Sequence, residues 1–389
     1  MSQASITVNR AELGNALAFA SLGLSRRPSV PVLAGMRVTI TCGTLELSAF
    51  DYETAARAKV SGEASLPGEI LITGAELIAA VKTLPRGKAV TAQVTIADDA
   101  LIVECEGIVS TLAGFNAEAS AGYPALPAMP ELAGVVDAQT FADSVSRVVP
   151  CAGTDDTLPV LTCVNITSEH GRLELTATDR YRLARHRIHW TGDDGAAVLV
   201  PAATLAAFGK TCARDGKVEI CAGAGFAALS DGEYTLIAHV NAGEFPRAVH
   251  KFITSDAGTW VTVEAAALAA ACSRAAKVTE RNAPLHVLVS TADAGARVTV
   301  ETHADGKVTS SQSVPCRYEG PDVHVGFNAG YLASVLNGVG GGRARLGFSG
   351  TAATPKPLQV RGTDGFAAVQ MPIKLAGGSC ELRCARRRP

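Results

Sequence analysis

The chain is 389 residues long, more than one ordinary hydrophobic core holds, and it fits two or three domains. Hydrophobic residues make up 47% and charged residues 19%, and there is no run of about 18 apolar residues, which excludes a disordered chain and a membrane-spanning helix. Thirty-five basic residues against 37 acidic ones give a formal charge of −2, which excludes a uniformly basic nucleic-acid coat but allows a basic stripe on an acidic body.

The N-terminal MSQASITVNR lacks the long apolar core of a secretion signal, so a cytoplasmic location is expected. Along the chain, ITVNRAELGNALAFA, ILITGAELIAAVKTL, GVVDAQTFADSVSRV, VLVPAATLAAFGKTC, VTVEAAALAAACSRA and VHVGFNAGYLASVLN share one pattern. Each is a short strand-like run, a small or capping residue, then about ten residues with apolar positions at helical spacing. The first large apolar residues inside these helices are Leu13, Leu77, Phe141, Leu205, Leu268 and Leu332, separated by 64, 64, 64, 63 and 64 positions. A fixed period of this kind means one supersecondary unit used six times. Between the helices, stretches such as RVTITCGTLELSAFD and LTCVNITSEHGRLELTATD alternate apolar and polar residues around turns, the pattern of antiparallel strands.

One helix on one small sheet buries little surface, so the units are expected to pair. Proline-bearing crossings at 123–131 and 244–258 interrupt the period after the second and fourth units. The expected fold is α+β, three similar domains at 1–125, 132–250 and 258–375, each of two strand-helix-meander units. The basic tail at 376–389 has no periodicity and is expected to be disordered. Ten scattered cysteines read as buried reduced thiols, and Cys380 and Cys384 lack the second ligand pair of a zinc site. No metal or cofactor is expected.

Basic residues gather at or just beyond the helix ends: Arg27, Lys82, Arg86, Arg147, Lys210, Arg214, Arg281, Arg343 and Arg345, with Lys277 in the fifth helix. Singly, each compensates a helix dipole. Recurring through the repeat, they line equivalent faces and suit sequence-independent contact with phosphates. The tripeptide GKT at 209–211 is not a phosphate-binding loop, because Thr204 stands where its leading Gly belongs and a helix C-terminal end disfavours phosphate. No nucleophile with its base is nominated, so no enzyme is expected, and an enzyme with an unrecognised site is the alternative from another class.

Seven segments carry a resemblance: RRPSVPVL at 26–33, FDYETAAR at 50–57, DDTLPVLT at 155–162, ATDRYRLA at 177–184, EFP at 244–246, GFNAGYLASVLN at 326–337 and MPIKL at 371–375. Together, in this order, they resemble the bacterial DNA sliding clamp family, the beta subunit of the replicative DNA polymerase, and DDTLPVLT and FDYE resemble its actinobacterial members. The resemblance implies a DNA-clamp fold in which two subunits form a head-to-tail homodimeric ring around duplex DNA. Helices line the hole, and the ring binds the replicative polymerase, the clamp loader and other proteins with a clamp-binding motif. Membrane partners are not implied.

By position, Arg27, Asn328 and Tyr331 match places where such clamps touch DNA, although Asn328 reads equally as a helix N-cap and Tyr331 as packing. A pocket for a short linear motif matches Leu161, Thr178, Arg180, Tyr181, Arg182 and Leu183. Its other side matches Pro246, His250, Lys251, Pro357, Val369, Met371 and Pro372. Taken one at a time, Leu161, Leu183 and Val369 read as core. Ala113, Phe115 and Lys277 match the subunit interface, with Ala113 and Lys277 departing from the aromatic and apolar residues usual there. Lys251 departs from an apolar pocket residue, and a specialised second clamp insensitive to a pocket-binding antibiotic is the alternative within the family.

Overall fold

A computed structural model describes residues 3–375 apart from 26, 213–214, 224, 247–249, 279, 281–282, 293–294, 305–306 and 351–353. Arg214, Arg281 and the tail at 376–389 therefore lie outside the described residues. The chain runs through the same motif six times: a strand, a helix and a three-stranded antiparallel meander. Module 1 is Ala4–Asn9, the helix Arg10–Ala20, then Gly35–Thr41, Thr44–Phe50 and Thr54–Ala64. Module 2 is Gly68–Thr73, the helix Gly74–Thr83, then Thr91–Ala97, Ala100–Cys105 and Ile108–Ala113. Module 3 is Leu132–Asp137, the helix Ala138–Val148, then Cys163–Glu169, Arg172–Thr178 and Arg182–His189. Module 4 is Ala197–Pro201, the helix Ala202–Thr211, then Lys217–Gly223, Phe226–Ser230 and Tyr234–His239. Module 5 is Thr259–Glu264, the helix Ala265–Val278, then Leu285–Ala292, Gly295–Ala304 and Lys307–Glu319. Module 6 is Val323–Phe327, the helix Ala329–Asn337, then Arg343–Phe348, Leu358–Arg361 and Phe366–Gln370.

The periodic residues are the helix anchors. Leu13, Leu77, Phe141, Leu205, Leu268 and Leu332 are each 0–2% exposed, so every module spends its first large apolar side chain on the core. The residue before each helix repeats with the same period. At three of these positions a side chain caps the helix: Asn9 accepts from the N–H of Ala11 and Glu12, Asp137 from Thr140, and Asn328 from Tyr331. The bonds from the Thr140 hydroxyl and N–H hold the Asp137 carboxyl below the usual carboxylate range.

The chain folds into two compact units. Unit 1 comprises 1–145, 165–173 and 189–243, and unit 2 comprises 146–164, 174–188 and 244–389. In unit 1 a sheet runs from Thr191–Gly192 through Leu132–Asp137, Lys217–Gly223, Phe226–Ser230, Tyr234–His239, Thr54–Ala64, Ala4–Asn9, Thr91–Ala97 and Ala100–Cys105 to Ile108–Ala113 at its edge. In unit 2 the order is Arg182–His189, Phe366–Gln370, Leu358–Arg361, Arg343–Phe348, Thr259–Glu264, Lys307–Glu319, Gly295–Ala304, Leu285–Ala292 and Val323–Phe327.

The third strands of the modules have a special part. Module 1 pairs with module 4 through them, with Ala56 opposite Leu236, and module 3 pairs with module 6, with Leu183 opposite Val369. The two remaining third strands keep an open edge among the described residues. Ile108–Ala113 ends its sheet, and the 307–313 stretch of Lys307–Glu319 is paired on one side alone, with Gly295–Ala304.

Unit 1 is centred on aromatic rings from three modules. Phe208 lies edge-on to Phe19 at 6.1 Å and to Phe141 at 6.3 Å, and Phe19 meets Tyr234 at 5.0 Å. The eight described cysteines are free, and all but Cys42 are at least half-buried. Cys42 is exposed at the turn of a hairpin, so it departs from the expected burial of the thiols. Burial pushes the Cys151 and Cys272 thiols up to about 12, which leaves them unreactive at neutral pH.

Three imidazoles meet on one face of the unit 2 sheet. His286 Nδ1 is 3.0 Å from His324 Nε2, the His286 and His303 rings stack at 3.9 Å, and His303 lies 3.3 Å from Glu301. Burial, then the charges of His303 and His324, push His286 down to about 4 against the pull of Glu301. An unfolded His takes up its proton near 6.5, whereas this one stays neutral until about 4. The stability it contributes is therefore complete above about pH 6.5 and lost as the pH falls towards 4. A His286→Leu variant is expected to lose on the order of 1 kcal/mol less than the parent chain between pH 7 and 5 in urea unfolding, after allowance for the half-exposed site. Parallel acid limbs for the two proteins would remove His286 from the account.

Candidate partner-binding site and nucleic-acid face

The residues expected to form a partner site share unit 2. Asp179 opens a turn in which its Oδ1 accepts from the N–H of Tyr181 at 2.9 Å and of Arg182 at 2.6 Å. Arg180 takes φ +76° in that turn, which leaves its side chain exposed. The same device precedes the third strands of modules 1 and 4, at Asp51 and Asp231. The turn sends the Arg182 side chain back onto Asp179, with Nε to Oδ2 at 3.0 Å, and Thr178 Oγ1 donates to Arg182 O at 2.6 Å. The guanidinium lies 4.2 Å over the Tyr331 ring, and Tyr181 flanks Tyr331 at 6.2 Å. Asn328, whose side chain caps the module 6 helix, receives a further bond at its carbonyl from buried Gln370 Nε2 at 3.0 Å.

Beside this corner lies an apolar floor. Leu183 and Val369, opposite each other across the module 3 and module 6 strands, form a buried cluster with Ile253 and Ala367. Large apolar side chains stand exposed at its rim: Tyr181 at 55%, Phe252 at 43% and Met371 at 40%. Met371 N donates to Tyr181 O at 2.8 Å, which ties two of the rim residues together. Leu161, Pro357 and Pro372 are half-buried in the same unit, and Pro246 and Lys251 are exposed. The His250 side chain lies outside the described residues. Phe252 and Ile253 have no counterpart in the sequence reading, since the single turn His250–Thr254 is too short for helical periodicity to register. An apolar floor with a Met and aromatic rim suits an apolar side chain of an extended peptide, and the thioether adapts to several shapes.

The basic residues divide. In unit 1, Arg27, Lys82, Arg86 and Lys210 are exposed, Lys82 and Lys210 in the last turns of their helices. In unit 2, Arg147 is engaged internally: its guanidinium pairs with Asp364 and covers Gly340, where a Cβ would strike it. This bond holds the Asp364 carboxyl below its usual range despite burial. Asn328 is an N-cap and Tyr331 lies under Arg182, so both stand beside the Tyr181–Arg182 turn. At the expected subunit interface, Ala113 is exposed on the open edge strand, and Lys277 is exposed beside Val278. Phe115 is half-buried. It packs against Val32, Leu33, Leu71 and Tyr123 of its own chain, and its N–H donates to Leu71 O at 2.9 Å.

Three successive matches cover nearly the whole chain: the N-terminal domain of the DNA polymerase III beta subunit at 4–127, its central domain at 135–247 and its C-terminal domain at 250–374. The chain belongs to the DNA polymerase III beta subunit family. The beta sliding clamp of Micrococcus luteus is 35% identical over 323 residues, covering 80% of this chain and 99% of that one. The beta sliding clamp of Streptomyces coelicolor is 32% identical, covering 96% of this chain and 100% of that one. A DnaN sliding clamp structure from Pseudomonas aeruginosa superposes with a TM-score of 0.82 at 22% identity, covering 96% of this chain and 100% of that one. The family's three-domain clamp fold, mostly antiparallel sheet with a few helices, is the fold found here. No helix of the described residues is long and apolar enough to cross a membrane.

Proposed function

We propose that this chain is a DNA sliding clamp: two copies close head to tail into a ring around duplex DNA and tether the replicative polymerase for processive synthesis. It performs no catalysis of its own. One observation carries the ring. Of the six third strands, four pair in twos within the chain, and Ile108–Ala113 and Lys307–Glu319 keep open edges. If these two edges join as the other four strands do, each copy offers one edge of each kind to its partner, and a two-fold axis closes the assembly with none left over. The closing contact is then polar on one side, with Thr309, Ser310, Ser311, Gln312 and Ser313 facing a strand that ends in Ala113. Its boundaries are three domains at 1–125, 132–250 and 258–375.

Exposed Arg27, Lys82, Arg86 and Lys210, with Arg214 and Arg281 from outside the described residues, supply sparse phosphate contacts that retain DNA without holding one register. A closed ring needs no more, since topology keeps a tethered polymerase at high effective concentration. The Leu183–Val369 floor, with its Tyr181 and Met371 rim, takes the linear motif of the polymerase, the clamp loader and other partners. The test is retention after loading: the protein should persist on nicked circular DNA and run off the same DNA once linearised. Equal loss from both forms would reject the ring.

A further inference from the structure

Four arginines stand in one row across the unit 2 sheet. Arg185 lies opposite Ala367, Ala367 opposite Arg361, Arg361 opposite Arg345, Arg345 opposite Thr262, and Thr262 opposite Arg317. Residues in one cross-strand row share a face. The neighbouring row, Ala184, Ala368, Val360, Leu346 and Val261, is buried, so the arginines occupy the face away from the module helices. Arg345 and Arg361 are directly opposed like charges, which weakens a sheet. Their guanidinia lie over the Trp260 ring at 4.4 and 4.7 Å. The indole lies across Gly347, where a Cβ would come within 2.8 Å of it. Among the described residues, Arg317, Arg345 and Arg361 have no carboxylate partner. Arg185 shares Glu174 with Arg187, at 3.8 and 2.6 Å, and its buried Nε has no acceptor.

The repeat supplies an internal control. In unit 1 the equivalent row is Arg57, Thr235, Ser230, Glu219 and Val135, each opposite the next. Ser230 and Glu219 stand where unit 2 has Arg361 and Arg345, so the sheet pairing itself does not require arginine at either position, although Arg361 also donates to Ile253 O at 3.2 Å and to Gln359 Oε1 at 3.0 Å.

We propose that this row binds an acidic segment of a protein partner, the stretch flanking the part seated on the Leu183–Val369 floor. The proposal rests on the partner-site reading above. Continuity supports it, because Arg185 follows Leu183 by two residues on the same strand and so shares its face. Chemistry supports it too, since guanidinium forks pair with carboxylates in a fixed planar geometry. Single-stranded nucleic acid fits less well: one face of Trp260 rests on Gly347 and two guanidinia cover the ring, so a base finds no open platform.

The experiment compares two fluorescent peptides, a Gln- and Leu-containing clamp-binding motif ending in Phe, with and without an appended run of Glu. The Glu run should tighten binding about tenfold at low salt, and the gain should vanish in an Arg345→Glu variant that binds the plain motif as before. That variant carries the unit 1 residue and replaces a like-charge pair with an opposite-charge one, so its melting temperature should be no lower than that of the parent. No gain from the Glu run, or the same gain in the variant, would overturn the proposal. If neither motif peptide binds, the partner-site reading fails on its own. The row is then judged by a free Glu-rich peptide, and absence of salt-sensitive binding that the variant loses counts against it. A single-stranded oligonucleotide of equal charge that binds more tightly than the Glu-rich peptide, and is lost in the variant, would also overturn it.

Discussion

A Thr111→Pro variant is expected to sediment as a folded monomer and to leave circular DNA as quickly as linear DNA. Gly114 N donates to Asp99 O across the module 2 hairpin, and Ala113 lies opposite Ala100 in the same register. Alternate residues of an antiparallel strand direct their N–H groups to opposite sides, so Leu112 and Ser110 bond within the hairpin and Thr111 offers its N–H to the open edge. Proline there removes no bond from the chain's own sheet, the position at which a strand tolerates it. It does remove a donor from the closing contact and places a ring against the partner strand. A carbonyl left unpaired costs about 1–3 kcal/mol, and the ring closes through two such contacts, so dimer affinity should fall roughly a hundredfold or more. Unchanged circular dichroism with a lost dimer is the expected pair of results. A dimer of undiminished affinity would place the interface elsewhere and separate the ring from the open edges.

The repeat was legible because each module writes it locally. A cap such as Asn9, Asp137 or Asn328 and an anchor four residues on, such as Leu13, Phe141 or Leu332, fall within one short window, where periodicity is strongest. Strand pairing between modules is written nowhere locally. Nothing in LQVR or RARLGF announces that Arg361 and Arg345 will face each other, and the register that opposes them follows from packing of the whole sheet. Arg147 makes the same point for charge. Its place at a helix end predicted a free cation, but Asp364 lies 217 positions away in sequence and returns to bind it.

The peptide corner divides along the same line. ATDRYRLA carries an Asx turn and a strand start in eight residues, and the structure builds both from them. Leu183 and Val369 were each readable as core or as pocket; both are buried, next to the exposed Tyr181 and Met371, an arrangement compatible with either reading. Phe252 escaped because a single exposed turn leaves no apolar period. Phe115 shows the same ambiguity, since an aromatic next to an edge strand fits an interface or a core equally well, and the half-buried ring packs on Val32, Leu33, Leu71 and Tyr123.

The Phe208→Ala substitution should have the largest effect on stability. Phe208 is fully buried and touches rings from modules 1 and 3, so the substitution empties the space between three module helices. Truncating a buried Phe costs about 3–5 kcal/mol, part of it a cavity that packed helices collapse only incompletely. Two edge-to-face pairs of about 0.5–1.5 kcal/mol each belong to that loss, so the upper half of the range is expected. The thermal midpoint should drop by on the order of 10 °C. Amide exchange should accelerate first in Arg10–Ala20, Ala138–Val148 and Ala202–Thr211, the helices that carry the three rings. Phe208→Leu fills most of the space and should recover more than half of the loss, which separates the cavity from the ring contacts. Equal losses for Ala and Leu would assign the stabilisation to the aromatic pairs, and a midpoint within a degree of the parent for both would show that the cluster does not hold unit 1 together.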